Sequence, residues 1–298
     1  PMFPVPIMAA LNTTFYRLMT LNAHSMECNN YISRSRVMSL EKIPVVIFAG
    51  GLGTRIAVEG DLKPKPMLEI GDRPILWHIM KYYACAGARE FIVCLGHKGD
   101  VIRDYFLNYH TRNVSLTLDL GSQSGVELHD FDGSEEWKVT LVDTGRNSMT
   151  AERLMRVKDF VGDRTFMLTY GDGLSDVNLD ALMDFHRSHE GFATLTGVHP
   201  TSRFGLVIPD TKGKVVDFSE KPVTEDWING GYFVLEPQVF SYLDKDEPFE
   251  QGPMLRMTEN GALFSYQHHG FWKPIDTQRE LSEANELWAS GKAPWKKW

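Results

Sequence analysis

The stretch Val45–Ile70, VVIFAGGLGTRIAVEGDLKPKPMLEI, opens as an apolar run and closes on glycines, an arginine and two proline-flanked lysines. A short apolar run stopped by glycine fits a strand buried on both faces, the kind found in parallel sheets. Gly50, Gly51 and Gly53 remove Cβ atoms where backbone N–H groups would approach an anion. Arg55, Lys63, Lys65 and Arg73 gather positive charge within one segment of a chain whose formal net charge is −8. Pro64 and Pro66 restrict φ and stiffen the backbone that carries Lys65. The pattern points to a phosphate-bearing ligand beyond the end of a parallel strand.

Outward from that strand, strand-like and helix-like stretches alternate. PILWHIMKYYACAG reads as a helix with Pro74 at its first turn and Gly87 past its end. EFIVCLG, TFMLTYGDG, FATLTGVH, INGGYFVL and ALFSYQHH read as strands. DVIRDYFLNY, TAERLMRVKDFVG (capped by Thr150), LDALMDFHRSH, PQVFSYL, PMLRMTENG and TQRELSEANELWASG read as helices. VSLTLDL, GVELHD and WKVTLVDTG form a β-rich patch, and FGLVIPDTKGKVVDF a hairpin around residues 210–213. The alternation predicts an α/β fold: a mostly parallel, Rossmann-like open sheet flanked by helices, with β-rich insertions.

Residues 43–298 show no internal repeat or low-complexity linker and read as a single domain. Residues 1–42 stand apart as an N-terminal extension, rich in Asn, Ser and Met, with Glu27 the only acid before Glu41. They read as a mobile arm, or as translated upstream sequence with the natural start near Met38. The acidic balance argues against a nucleic-acid partner or an anionic membrane, because a phosphate backbone is held by clustered Lys and Arg. No apolar run reaches membrane-spanning length. Cys28, Cys85 and Cys94 are odd in number and lack a CxxC spacing, which suits buried thiols in a reducing cytoplasm.

Ligands in open α/β sheets lie outside the carboxyl ends of strands, and three candidate sites fall there. The first is Gly50–Arg55 with Lys65. It is no P-loop, since no Lys-Ser or Lys-Thr follows, and Ile56 stands where a dinucleotide fingerprint needs its third glycine. The second is Tyr170-Gly171-Asp172-Gly173, with Asp276 of FWKPIDT as a second carboxylate; such a pair suits Mg²⁺ shared with substrate phosphates. Asp172 reads equally as a turn residue, and Asp276 as part of a helix cap. The third joins Glu220-Lys221-Pro222 to Asn229-Gly230-Gly231, with Arg203-Phe204-Gly205 nearby, and suits a sugar phosphate. His186 and His189 share a helix face without a third ligand and read as solvated.

GGLGTR with KPKPM, GDG after a central strand, and EKP followed by NGG together resemble the sugar-1-phosphate nucleotidyltransferases. RPILWHIMKYYA, VTLVDTGRNSMT, FMLTYGDGLSDV, INGGYFVL, GFWKPIDT and ELWASGKAPWK narrow the resemblance to glucose-1-phosphate cytidylyltransferases, from about Ile43 to the C terminus. The resemblance implies a nucleotidyltransferase fold making CDP-glucose and pyrophosphate from CTP and α-D-glucose 1-phosphate. It implies that Gly50, Gly51, Gly53, Thr54 and Arg55 hold the nucleotide, and that Arg55 and Lys65 act on the reacting phosphates. Arg153 would contact phosphate, and Asp172 and Asp276 would hold Mg²⁺, Asp172 also touching the nucleotide. Glu220, Lys221, Asn229 and Gly230 would hold the sugar phosphate. One departure is Ala151-Glu152, where that family usually carries two glycines before the arginine. The resemblance further implies a cytoplasmic homo-oligomer serving deoxysugar and lipopolysaccharide biosynthesis.

Residue chemistry by itself leaves CTP, UTP and dTTP open, because cytosine and uracil differ only at a group that a glycine loop can read either way. A catalytically inactive sugar-nucleotide-binding regulator is a further alternative. It predicts the loss of a charged site residue, yet Arg55, Lys65, Asp172, Lys221 and Asp276 are all present.

Overall fold

The computed structural model describes residues 40–51, 63–121, 125–129, 135–202 and 204–298. Residues 1–39 of the expected extension lie outside this set, as do Gly53, Thr54, Arg55 and Arg203. The chain runs β1 (Val45–Phe48), β2 (Glu69–Ile70), β3 (Arg73–Pro74), α1 (Ile75–Cys85), β4 (Glu90–Leu95), α2 (Gly99–Leu107) and α3 (Tyr109–Arg112). There follow β5 (Ser115–Asp119), β6 (Gly125–His129), β7 (Lys138–Asp143), α4 (Thr150–Arg156), α5 (Lys158–Val161), β8 (Phe166–Tyr170) and β9 (Gly173–Ser175). Then come α6 (Leu179–Arg187), β10 (Ala193–Val198), β11 (Leu206–Pro209), β12 (Val215–Ser219) and β13 (Ile228–Leu235). The last elements are α7 (Gly252–Glu259), β14 (Leu263–His268), β15 (Trp272–Pro274) and α8 (Gln278–Ala289).

Seven strands form one sheet in the order β14-β10-β13-β8-β1-β4-β7. β13 is antiparallel to both its neighbours, and the other four pairings are parallel. β1 lies well inside the sheet and is buried along its whole length, as its unbroken apolar run requires. Val45 and Ile47 enter the core shared with α1 and α8, while Val46 and Phe48 enter the core shared with α4 and α7. This two-sided burial comes from the alternation of side chains along a strand. The β11–β12 and β5–β6 pairs form separate two-stranded hairpins, which are the β-rich insertions.

The expected helices differ locally. DVIRDYFLNY breaks at Asn108, whose amide turns back to the Asp104 carbonyl and carboxylate and competes with the helix ladder. TAERLMRVKDFVG splits at Val157 into α4 and α5. Thr150 is not its cap: Met149 holds that position, and the Thr150 hydroxyl is engaged by Glu250. PQVFSYL forms a 3₁₀ turn over Pro237–Tyr242. His186 and His189 do not lie on a solvated face. His186 is 4% exposed and meets Thr194 and Glu236, and His189 stacks on Phe264. Thr277, not Asp276, caps α8, in a reciprocal arrangement with Glu280. Cys94 is buried, which pushes its thiol up to about 12.

Candidate active site

Parallel pairing of β1, β4, β7 and β8 brings their carboxyl ends to one edge of the sheet. Gly50 and Gly51 leave β1, Gly96 leaves β4, Thr144 and Gly145 leave β7, and Asp172 leaves β8. The Gly171 N–H donates to the Phe48 carbonyl at 2.9 Å, so the turn bearing Asp172 is laced to the glycine-rich turn. A Cβ on Gly171 would lie 2.9 Å from that carbonyl and 3.0 Å from Pro66 Cγ. Glycine is needed there because two backbones close on one another.

Lys65 rides on a 3₁₀ turn, Lys65–Met67, set between Pro64 and Pro66. Its ammonium donates to Asp172 Oδ2 at 3.4 Å and to Asp276 Oδ1 more closely. Asp276 reaches this point from the other end of the chain because β15 pairs antiparallel with β9, and the Ile275 N–H donates to the Asp172 carbonyl at 2.8 Å. Burial raises the Asp172 carboxyl above its usual range; the Lys65 charge opposes this, and the neighbouring Asp276 carboxylate adds to it. Two carboxylates from separate turns thus converge on one cationic point. That donor set of hard oxygens fits a magnesium ion, which takes one or two carboxylates and completes its shell with water and phosphate oxygens.

A cavity of about 600 Å³ opens beside this cluster, walled by Gly50, Gly51, Lys65, Asp172, residues 146–150 and Glu250, among others. Arg153 borders it but is 4% exposed. Its guanidinium donates to the carbonyls of Gly50 (3.0 Å), Leu95 (3.1 Å) and Gly145 (2.9 Å) and to Thr144 Oγ1 (2.8 Å). This arginine therefore pins the turns after β1, β4 and β7 to one another. A Cβ at Gly50 would lie 2.3 Å from Arg153 Nη1, and one at Gly96 2.4 Å. Both glycines make room for the pin. Glu152 points elsewhere and pairs with Arg156 at 2.7 Å.

The sugar-phosphate candidates lie toward β12 and β13. Asn229 donates to the Tyr170 hydroxyl at 3.3 Å and accepts from Gly231 N–H at 2.9 Å, and the Gly230 carbonyl accepts from Trp272 Nε1 at 2.7 Å. Glu220 and Lys221 end the β11–β12 hairpin, their charged groups 3.9 Å apart. Lys221 has φ of 48°, in the left-handed region that disfavours a side chain. Nothing in FEQGP marks Glu250, and only tertiary contact with Thr150 and Tyr170 brings it to the cavity.

The nucleotidyl transferase family model matches residues 44–290. The glucose-1-phosphate cytidylyltransferase of Salmonella typhimurium (strain LT2) is 47% identical over 256 residues, which span 85% of this chain and 98% of that protein. HddC from Yersinia pseudotuberculosis shares the fold with a TM-score of 0.59 at 23% identity, over 83% of this chain and 99% of that one. UDP-glucose pyrophosphorylase complexed with UDP-glucose superposes with a TM-score of 0.60 at 16% identity, over 84% and 99%. The chain belongs to the nucleotidyl transferase family, among its glucose-1-phosphate cytidylyltransferase members.

Proposed function

We propose that this chain transfers a cytidylyl group from CTP to α-D-glucose 1-phosphate, giving CDP-glucose and pyrophosphate. The observation that carries the reading is the convergence of Lys65, Asp172 and Asp276 beside the glycine-rich turn of β1. The sugar phosphate is already an oxyanion near neutral pH, so its oxygen attacks the α-phosphorus in line and needs no general base. What remains for the protein is positioning and charge neutralisation. The Gly50 and Gly51 turn and Arg55 orient the triphosphate, and Lys65 offsets negative charge developing at the reacting phosphates. Glu220, Lys221, Asn229 and Gly230 hold the sugar phosphate. Asp172 and Asp276 would hold Mg²⁺, which supplies charge neutralisation at the phosphates when bound.

Residues 43–298 act as one catalytic unit in this reading, in the cytoplasm. Among the described residues no helix is long and apolar enough to cross a membrane. Self-association is supported by the β11–β12 hairpin, where Leu206, Val207, Ile208, Val215, Val216 and Phe218 are 45–60% exposed. The test is pyrophosphate release from glucose 1-phosphate with CTP, UTP, dTTP, ATP and GTP in turn, with and without Mg²⁺. Metal-dependent release with CTP supports the assignment. Preference for UTP or dTTP would overturn the base, and no release with any of them would overturn the reaction.

A further inference from the structure

The cavity is lined by cations and carboxylates together, Lys65, Arg146 and Arg153 with Asp172 and Glu250. Tyr170 O–H donates to Glu250 Oε1 at 2.6 Å, and Thr150 Oγ1–H donates to Oε2 at 2.8 Å. Both hydroxyls are fixed from behind. Thr150 Oγ1 accepts from the Phe249 N–H at 2.7 Å, and the Tyr170 oxygen accepts from Asn229 Nδ2 at 3.3 Å. The Tyr170 ring is held in turn by Gly231, where a Cβ would lie 2.3 Å from a ring carbon. The carboxylate is thus a preorganised acceptor. Among the described residues it forms no ion pair with lysine, arginine or histidine.

Each carboxylate oxygen can accept more than one hydrogen bond, so one hydroxyl apiece leaves acceptor sites on a group that lines the cavity. A carboxylate repels phosphate and favours an uncharged hydrogen-bond donor beside it. A nucleoside offers such donors in its ribose hydroxyls and, for cytosine, in the exocyclic amine; uracil carries an acceptor at that position. Glu220, Lys221 and Asn229 do not line this cavity, although Asn229 reaches the Tyr170 hydroxyl.

We infer that Glu250 is a specificity-determining residue, held by Tyr170 and Thr150 to accept a hydrogen bond from a donor group of the bound nucleoside. The inference rests on reading this cavity as the nucleotide site. It is tested by kcat/KM with CTP, UTP, 2′-deoxy-CTP and 3′-deoxy-CTP for the wild type, Glu250→Gln and Tyr170→Phe. The wild type should discriminate against at least one analogue by about tenfold or more, as loss of one good hydrogen bond predicts. Glu250→Gln should erase most of that discrimination. Relaxation in the UTP arm identifies the amine, and relaxation in a deoxy arm identifies the ribose. A uniform fall with all four nucleotides, or discrimination unchanged, would overturn the inference, since a merely structural glutamate lowers every arm alike. Should Glu250→Gln fail to fold, Tyr170→Phe keeps the charge but frees one oxygen, and it must relax the same arm. Absence of wild-type turnover with every nucleotide would instead overturn the reading of the cavity itself.

Discussion

Replacing Arg153 by Met separates two roles for this side chain. The structure engages its guanidinium with five acceptors on the turns after β1, β4 and β7, the most distant being the Arg146 carbonyl at 3.5 Å. Not all of them would be stranded. The Leu95 carbonyl keeps Thr144 N–H at 3.0 Å and Thr144 Oγ1–H at 2.6 Å, and the Gly50 carbonyl keeps His97 N–H at 3.3 Å. Among the described residues the Gly145 carbonyl keeps no other protein donor. Leaving a buried carbonyl unsatisfied costs about 1–3 kcal/mol, and the half-buried Gly145 carbonyl less, while each bond lost to a charged donor costs about 1.5–3 kcal/mol. Removing the charge also relieves its desolvation, which burial makes unfavourable here, so the losses do not add in full. The expected net destabilisation is about 3 kcal/mol. Equilibrium urea unfolding of wild type and Arg153→Met measures it, and the KM for CTP should rise as the glycine-rich turn loosens. If Arg153 served chiefly as a phosphate contact, turnover would collapse while the urea midpoint stayed put. A stability loss below about 1 kcal/mol would refute the pin.

Three further outcomes follow from named contacts. Lys65→Ala should lower turnover by a factor on the order of 10²–10³, comparable with deleting an oxyanion-hole donor, and steady-state rates within tenfold of wild type would dismiss its role. His78 is buried under Trp288, and burial lowers its pKa to about 4. Its folded pKa lies below the unfolded value, so its contribution to stability is complete above pH 6.5 and falls as pH drops toward 4. The loss is up to about 3 kcal/mol. Urea midpoints from pH 7.5 to 4.5 should therefore decline less steeply in His78→Leu than in wild type, and parallel slopes would contradict this. Val216→Lys with Phe218→Glu should shift gel filtration of the full chain to a smaller species while leaving its circular dichroism unchanged; identical elution would remove the β11–β12 hairpin from any interface.

Local chemistry was enough for the framework. VVIF has no polar face, so it had to be a strand covered on both sides, and the alternation of such runs with amphipathic helices leaves little but a layered α/β sheet. Lys65 and Asp172 were legible for a similar reason: prolines around one and glycines around the other are backbone restrictions written in adjacent residues. Asp276 was legible as a carboxylate before a helix, but its meeting with Asp172 depends on the β9–β15 pairing, which joins segments almost a hundred residues apart.

Other assignments belonged to the tertiary structure. Thr150 looks like a helix cap because it precedes a helical run, yet a carboxylate one hundred residues away claims its hydroxyl. His186 and His189 look solvated by spacing, yet β10 buries the first and β14 half-covers the second. Arg153 looks like a phosphate ligand by its motif, and its partners are the carbonyls of three separate strand ends. A side chain's hydrogen-bond partner is set by whichever donor or acceptor the packed chain leaves unsatisfied beside it, and that neighbour is seldom close in sequence. The sequence by itself therefore determined the seven strands of the main sheet, most of the helices that cover it and the glycine-bearing turns that end its strands. Only the tertiary structure decided which side chains of those turns meet one another and which face the cavity.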